Sequence, residues 1–272
     1  MIPPILCYHK VDPRLELGFT RLGPAAFKRQ MEAMAKAGWH TMGSADLLAQ
    51  AVVANVPGVK TTLPPRYRSP GAKHFVLTFD DGYEALKHHA FPILKELGFR
   101  ALVFVITDFV GRENSWDVQY GWRRFQHLSW DDLERWRKRG IEVHSHTVSH
   151  ARLTWLPDDA VREELFRSRE TIVQRLGNAA IGISYPFGAA DARIQRLAKE
   201  AGYQLGFAGP NHAEGEGPMM LPRRPVYAWD ASGIPKVLRD SPLGAVSRGV
   251  ARMTNRFAVG TALFQKVMRR RY

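Results

Sequence analysis

The chain has almost no sulfur chemistry to offer. Cys7 is its one cysteine, so neither a disulfide framework nor a thiolate zinc cluster is available. Long apolar runs are missing as well. The longest clean run, Ala101–Ile106, falls far short of the roughly 20 residues that cross a bilayer. Residues Met1–Lys10 hold no basic segment followed by a long apolar stretch, so no secretory signal is expected and a soluble cytoplasmic protein is the default. Internal repeats and low-complexity segments are absent. Acidic residues are in deficit, 26 Asp and Glu against 39 Lys and Arg, which gives a formal net charge of +13.

What remains is globular. With 272 residues, 45% of them hydrophobic and 24% charged, the chain can bury a full core and is neither disordered nor collagen-like. The positive charge is unevenly spread: from Arg223 to Tyr272 lie 11 of the 39 basic residues but only 2 of the 26 acidic ones. The preceding 222 residues are close to balanced. Net charge alone would suggest nucleic acid, but no nucleic-acid motif accompanies it and none is expected as a partner.

Short apolar runs alternate with helical patterns, the arrangement of a β/α architecture. Strands are predicted at Pro4–Tyr8, His74–Phe79, Ala101–Thr107, Ile141–Val143 and Ile181–Tyr185, with two more at Tyr203–Ala208 and Arg224–Tyr227. Helices are predicted at Pro24–Gly38, from Ser44 to Asn55, from Gly82 to Leu97 with a break near Pro92, from Ser129 to Arg139, over Pro157–Leu176 and over Asp191–Ala201. The expected organisation is one domain over residues 1–240 and a basic tail over 241–272.

Polar groups collect where strands end. Asp80 and Asp81 follow one strand, His144, His146 and His150 follow another, and Tyr185-Pro186-Phe187-Gly188 ends a third. In barrels of parallel strands the carboxyl ends form the active face, so residues distant in sequence can converge there. Side chains alternate along a strand, so Asp80 and Asp81 can do different jobs; Asp-Asp-Gly is equally ordinary turn chemistry. His146 and His150, four apart, would share one face of a helical turn. Together with Asp81 they make a two-histidine, one-carboxylate set that leaves positions open for water and substrate, although histidine pairs are often only structural.

Thr78-Phe79-Asp80-Asp81-Gly82 and His146-Thr147-Val148-Ser149-His150 resemble the first two motifs of the polysaccharide deacetylases, carbohydrate esterase family four. The likeness extends over about residues 2–228. It implies a distorted (β/α) barrel of about seven strands and metal-dependent removal of N-acetyl groups from N-acetylhexosamines in a glycan or glycan precursor. By resemblance, Asp80 is the general base, and Asp81, His146 and His150 hold a divalent metal, zinc by expectation. Two departures stand out. The third motif commonly reads Arg-x-Pro-Tyr, and here it is Ser184-Tyr185-Pro186-Phe187-Gly188, without the arginine. The backbone N–H of Phe187 can still serve the oxyanion. Arg223 is the candidate substitute for orienting the base, with a plain surface arginine as the other reading. The C-terminal Leu-x-His of many members is also missing. Leu6-Cys7-Tyr8-His9 resembles the exopolysaccharide-type arrangement, which makes His9 the candidate general acid, or else a packed strand-end histidine. Tyr185 and Trp116 are candidates for contact with sugar, and His144 is read as a wall residue. A catalytically decayed glycan-binding barrel and an O-acetyl esterase are the competing functions.

From Gly244 onward, Val246, Val250, Met253, Phe257, Phe264 and Met268 share one helical face, and Arg248, Arg252, Arg256, Lys266 and Arg270 lie opposite. Such a helix can lie on an anionic membrane, which would make the protein peripheral there, or it can pack on the barrel.

Overall fold

A computed structural model describes residues 2–15, 20–54, 73–115, 124–177, 180–210, 217–230 and 238. Trp116 and the tail 241–272 lie outside these residues. The strands are β1 (Ile5–Tyr8), β2 (Lys10–Val11), β3 (Arg21–Leu22), β4 (Trp39–Thr41), β5 (Lys73–Phe79), β6 (Ala101–Val105), β7 (Ile141–Ser145), β8 (Gly182–Ser184), β9 (Leu205–Ala208), β10 (Leu221–Pro222) and β11 (Arg224–Pro225). The helices are α1 (Pro24–Lys36), α2 (Ser44–Ala54), α3 (Leu86–His89), α4 (Phe91–Glu96), α5 (Trp130–Arg137), α6 (Asp158–Leu176) and α7 (Ala192–Glu200).

Every strand pairing in the main sheet is parallel, in the order β10-β9-β8-β7-β6-β5-β1-β11, with β4 added beside the start of β5. The two ends of this sheet are consecutive in sequence. Leu221 and Pro222 pair with Phe207 and Ala208, and two residues later Arg224 and Pro225 pair with Leu6 and Cys7. One segment therefore joins the first and last edges and closes the sheet into a barrel. Counted as one strand, it makes seven with β1 and β5 to β9, the (β/α) barrel that the sequence predicts.

The two-residue period of the strands sorts the side chains. Leu6, Tyr8, Leu77, Phe79, Val103, Val105 and Val143 pack outward under Phe27, Met31 and Met34 of α1 and Phe91 and Leu94 of α4. Ile5, Val76, Leu102, Phe104, Leu205, Phe207 and Leu221 form a separate apolar cluster inside the barrel. A third cluster, with Ile183 and Tyr185, lies under α6 and α7. The inward lines continue upward into polar residues: Ile5-Cys7-His9, Val76-Thr78-Asp80, Glu142-His144-His146, Gly182-Ser184 and Leu221-Arg223. The barrel is thus apolar at its base and polar where the strands end.

Helix ends follow local chemistry. Ser129 and Asp132 form the capping box that opens α5. Asp191 accepts from the Ile194 N–H at the start of α7, and Gly177 closes α6 in the left-handed conformation. The expected break near Pro92 falls at Ala90, between α3 and α4. Ser44 differs from its expected capping role. Its N–H and hydroxyl both donate to Glu142, at 3.0 and 2.5 Å, which ties the start of α2 to β7. Among the described residues no helix is long and apolar enough to cross a membrane.

Candidate active site

Asp80 is the most heavily engaged carboxylate at the barrel's upper end. Arg223 donates to both of its oxygens, Nη1 to Oδ1 and Nη2 to Oδ2, each at 2.7 Å. The guanidinium is locked in turn by Ser184 Oγ at 2.9 Å, and Ser184 also donates to Asp80 Oδ2 at 3.2 Å. Both charged partners are about 95% or more buried, so this is a fork-on-fork ion pair out of water. Burial by itself would raise the Asp80 pKa. The charges of Arg223 and His146, with the Arg223 hydrogen bonds, outweigh it and hold the carboxyl below the usual range. Burial likewise opposes the Arg223 charge, and Asp80 reverses that effect. The reading of Arg223 as a surface arginine is corrected by this burial: the strand that closes the barrel places it inside.

Asp81 does not follow the alternation that would have turned it away from Asp80. Its φ of 68° bends the chain back beyond the end of β5. As a result Oδ1 lies 3.5 Å from His146 Nε2 and 3.8 Å from His150 Nε2. Gly82 follows at φ 72°, and a Cβ there would meet the Val105 side chain at 3.0 Å, so this turn is closed to larger residues. His127 Nδ1 sits 2.8 Å from the Asp81 carbonyl, and its ring stacks on Tyr83. Sequence reasoning missed His127, because it lies outside any periodic element.

His146 and His150 share no helical turn, contrary to the spacing argument. Residues 146–150 form an irregular loop, with Thr147 and His150 at φ 68° and 59°. Glu164 of α6 accepts from the N–H groups of Val148 and Ser149 at 2.9 and 3.0 Å, and from the Ser149 hydroxyl. Thr147 Oγ1 accepts from the His150 N–H. Glu164 was also overlooked. The available signal was an acidic residue on the buried face of an amphipathic helix, between Val161 and Leu165. All four non-glycine residues with positive φ among those described, Asp81, Thr147, His150 and Phe187, lie in this one site, where surrounding bonds sustain the strain.

The Asp81, His146 and His150 set suits a divalent cation. One ligand atom from each lies within 4.8 Å of the others, and all three residues are buried. His146 Nδ1 sits 2.8 Å from the Ser184 carbonyl, which orients Nε2 toward the cluster. Burial pushes the pKa of both histidines down, strongly for His150, which favours the neutral form a metal requires. A second group, Cys7, His9 and Asp80, is equally close-set. It suits proton handling rather than a cation, because Asp80 is already paired and burial pushes the Cys7 thiol far up. The thiol lies 3.6 Å from Asp80 Oδ2. His9 is pushed down to about 4 by burial, against the pull of Asp80.

Phe187 begins the turn after β8 and stacks edge-on against His150, with centroids 4.9 Å apart. Its backbone N–H has no hydrogen-bond partner among the described residues. Tyr185 is a correction. It is fully buried, and its hydroxyl donates to the Met219 carbonyl at 3.0 Å, so it offers no face to a sugar. His144 lies inside the barrel against Phe104, with neither ring nitrogen hydrogen-bonded. Trp116 lies outside the described residues.

A family model for polysaccharide deacetylases matches residues 67–206. The protein YxkH of Bacillus subtilis, described as being of that type, is 25% identical over 203 residues, covering 75% of this chain and 63% of its own length. A poly-β-1,6-N-acetyl-D-glucosamine N-deacetylase of Staphylococcus aureus is 26% identical over 141 residues, 48% of this chain and 46% of that one. The chain therefore spans less than two thirds of these relatives. Among solved structures, the Streptococcus pyogenes deacetylase PplD in complex with acetate superposes with a TM-score of 0.67 at 22% identity, covering 83% of this chain and 92% of that one. IcaB from Ammonifex degensii gives 0.63 at 22% identity, covering 90% and 94%. At these identities the two structures speak for the shared fold.

Proposed function

Because the chain belongs to the polysaccharide deacetylase family, we propose that it hydrolyses N-acetyl groups on N-acetylhexosamine residues of a glycan or glycan precursor. The observation that carries this reading is the Arg223-paired Asp80 beside the Asp81, His146 and His150 set. A divalent ion held by Asp81, His146 and His150, which we propose to be zinc from two imidazoles and a carboxylate, would polarise the acetamide and acidify water.

The remaining steps belong to the protein. Asp80, kept ionised and aimed by Arg223, takes the proton of the attacking water. The unpartnered Phe187 N–H donates to the developing oxyanion. His9, within 4.8 Å of Asp80, protonates the departing amine. Since burial leaves His9 neutral near pH 7, the proton that Asp80 takes from water passes to His9 and from there to the amine, which returns both groups to their starting states. The Arg223 pair on Asp80 supports an active site over a catalytically decayed glycan-binding barrel. An O-acetyl ester would meet the same groups. We also propose that the basic segment 241–272 contacts an anionic membrane surface.

The test is acetate release from acetylated β-linked glucosamine oligomers, together with their O-acetylated counterparts. Wild-type protein should release acetate from the N-acetyl substrate and lose that activity on chelation. Asp80→Asn should lower it by about 100-fold or more with divalent-metal content unchanged. Undiminished activity in that folded variant would overturn the mechanism.

A further inference from the structure

Two residues beyond the second histidine, Arg152 occupies an unusual setting. Its guanidinium carbon lies 5.0 Å from the centre of the Trp155 ring and 5.9 Å from that of Phe187. Its side chain makes no ion pair and no hydrogen bond among the described residues, and its Nε is buried without a partner. Most arginines nearby are engaged. Arg193 pairs with Asp158 at 2.7 Å, and Arg162 with Glu200 at 3.0 Å. The Nε is the buried part; the two Nη groups, on a half-buried side chain, have no acceptor from the protein among the described residues and are open to one from a ligand. Trp155 adds a second signal. It is 42% exposed, one of four large hydrophobic residues so exposed among those described.

The location gives these features a use. Phe187 joins Arg152 to the site: its ring contacts His150 on one side at 4.9 Å and the guanidinium on the other at 5.9 Å. These two steps place the guanidinium within reach of the sugar whose acetamide is cleaved, or of its neighbour. An exposed indole suits the apolar face of a pyranose, and a guanidinium already laid over that indole presents its donors at the ring's edge.

We propose that Arg152, backed by Trp155 and Phe187, is a substrate subsite for an anionic substituent of the glycan, a carboxylate or a phosphate ester. It rests on the deacetylase reading and narrows it to acidic glycans or sugar phosphates. A planar fork with no internal acceptor matches either anion through two parallel hydrogen bonds.

Acetate release is measured on three substrates of equal length: a neutral N-acetylglucosamine oligomer, one alternating with uronic acid, and one carrying a phosphate ester. Wild-type kcat/KM should favour at least one anionic substrate, and which one identifies the anion. Arg152→Gln should reduce that preference by roughly tenfold or more, through KM, with a far smaller change on the neutral substrate. Arg152→Lys should restore part of it, and salt should shrink the wild-type preference. Equal loss on all three substrates, or an unchanged preference, would overturn the subsite. If Arg152→Gln fails to fold, Arg152→Lys and the salt dependence decide the matter. If no substrate is hydrolysed by wild-type protein, the deacetylase reading fails instead. The subsite is then judged by titrating the three oligosaccharides, with weaker binding of the anionic ones to Arg152→Lys in support and indifference against.

Discussion

The Asp80–Arg223 pair concentrates the site's electrostatics in two residues 143 positions apart. Neither charge has access to bulk water, so each is tolerable only through the other. Removing the cation alone strands a buried carboxylate. Arg223→Met should therefore cost about 3–5 kcal/mol of stability, read as a shift in the denaturant midpoint. Combining it with Asp80→Asn should recover part of that loss without restoring activity, because no unpaired charge then remains. A double variant as unstable as the sum of the singles would show that the two do not act as a pair. Arg223→Lys should keep the fold and lose most turnover, since one ammonium cannot replace two parallel donors. At this scale the sequence was informative about residue types and less so about direction. The first two motifs mark the acid and the histidine cluster, and the absence of the third-motif arginine points to Arg223 as its substitute. The turn at Asp81 was invisible, because strand alternation predicts the opposite orientation and only φ 68° reverses it.

Elements bring these residues together through registers that the apolar pattern largely specifies. Strand positions and helix ends were readable because alternation, capping residues and helix-ending glycines are local. The loop 146–150 was not: a four-residue spacing fits a helical turn and this irregular loop equally well, and what decides between them is Glu164, from a helix that begins at Asp158. Glu142 plays a comparable part at the barrel's base. It accepts from Ser44 of α2 and from Arg100 Nη2 at 2.9 Å. Burial raises its pKa, but His144 at 3.6 Å and the Ser44 bonds outweigh this and bring it down from 4.5 to about 2. A carboxylate depressed in the folded state stabilises the protein above its unfolded pKa. That contribution should fade as pH falls from about 4.5 toward 2. Glu142→Gln should be less stable at pH 7, by about 1–3 kcal/mol, and should show a shallower loss across that acid range in denaturation curves. Parallel curves for the two proteins would indicate that Glu142 contributes nothing pH-dependent.

Over the whole molecule, charge and architecture separate along the chain. The barrel is closed by a single segment, Leu221–Pro225, and the charge imbalance begins inside it, at Arg223. Arg223 is spent internally against Asp80, so the excess available to a partner lies further on, in residues that include Arg269-Arg270-Arg271. A basic amphipathic face binds anionic lipid by burying apolar side chains while its arginines meet the headgroups, and each basic residue near such a surface adds about 1 kcal/mol. Ending the chain at Asp240 should therefore abolish co-sedimentation with vesicles rich in phosphatidylglycerol. Neutral phosphatidylcholine vesicles should bind neither form. Hydrolysis of a short soluble substrate should survive the truncation, because the site residues and the closing segment all precede it. A truncated chain that melts at a markedly lower temperature would instead mean that the apolar face of the segment packs against the barrel. Its arginines would then be solvated rather than membrane-bound, and vesicle binding by the full chain would be weak and insensitive to lipid charge.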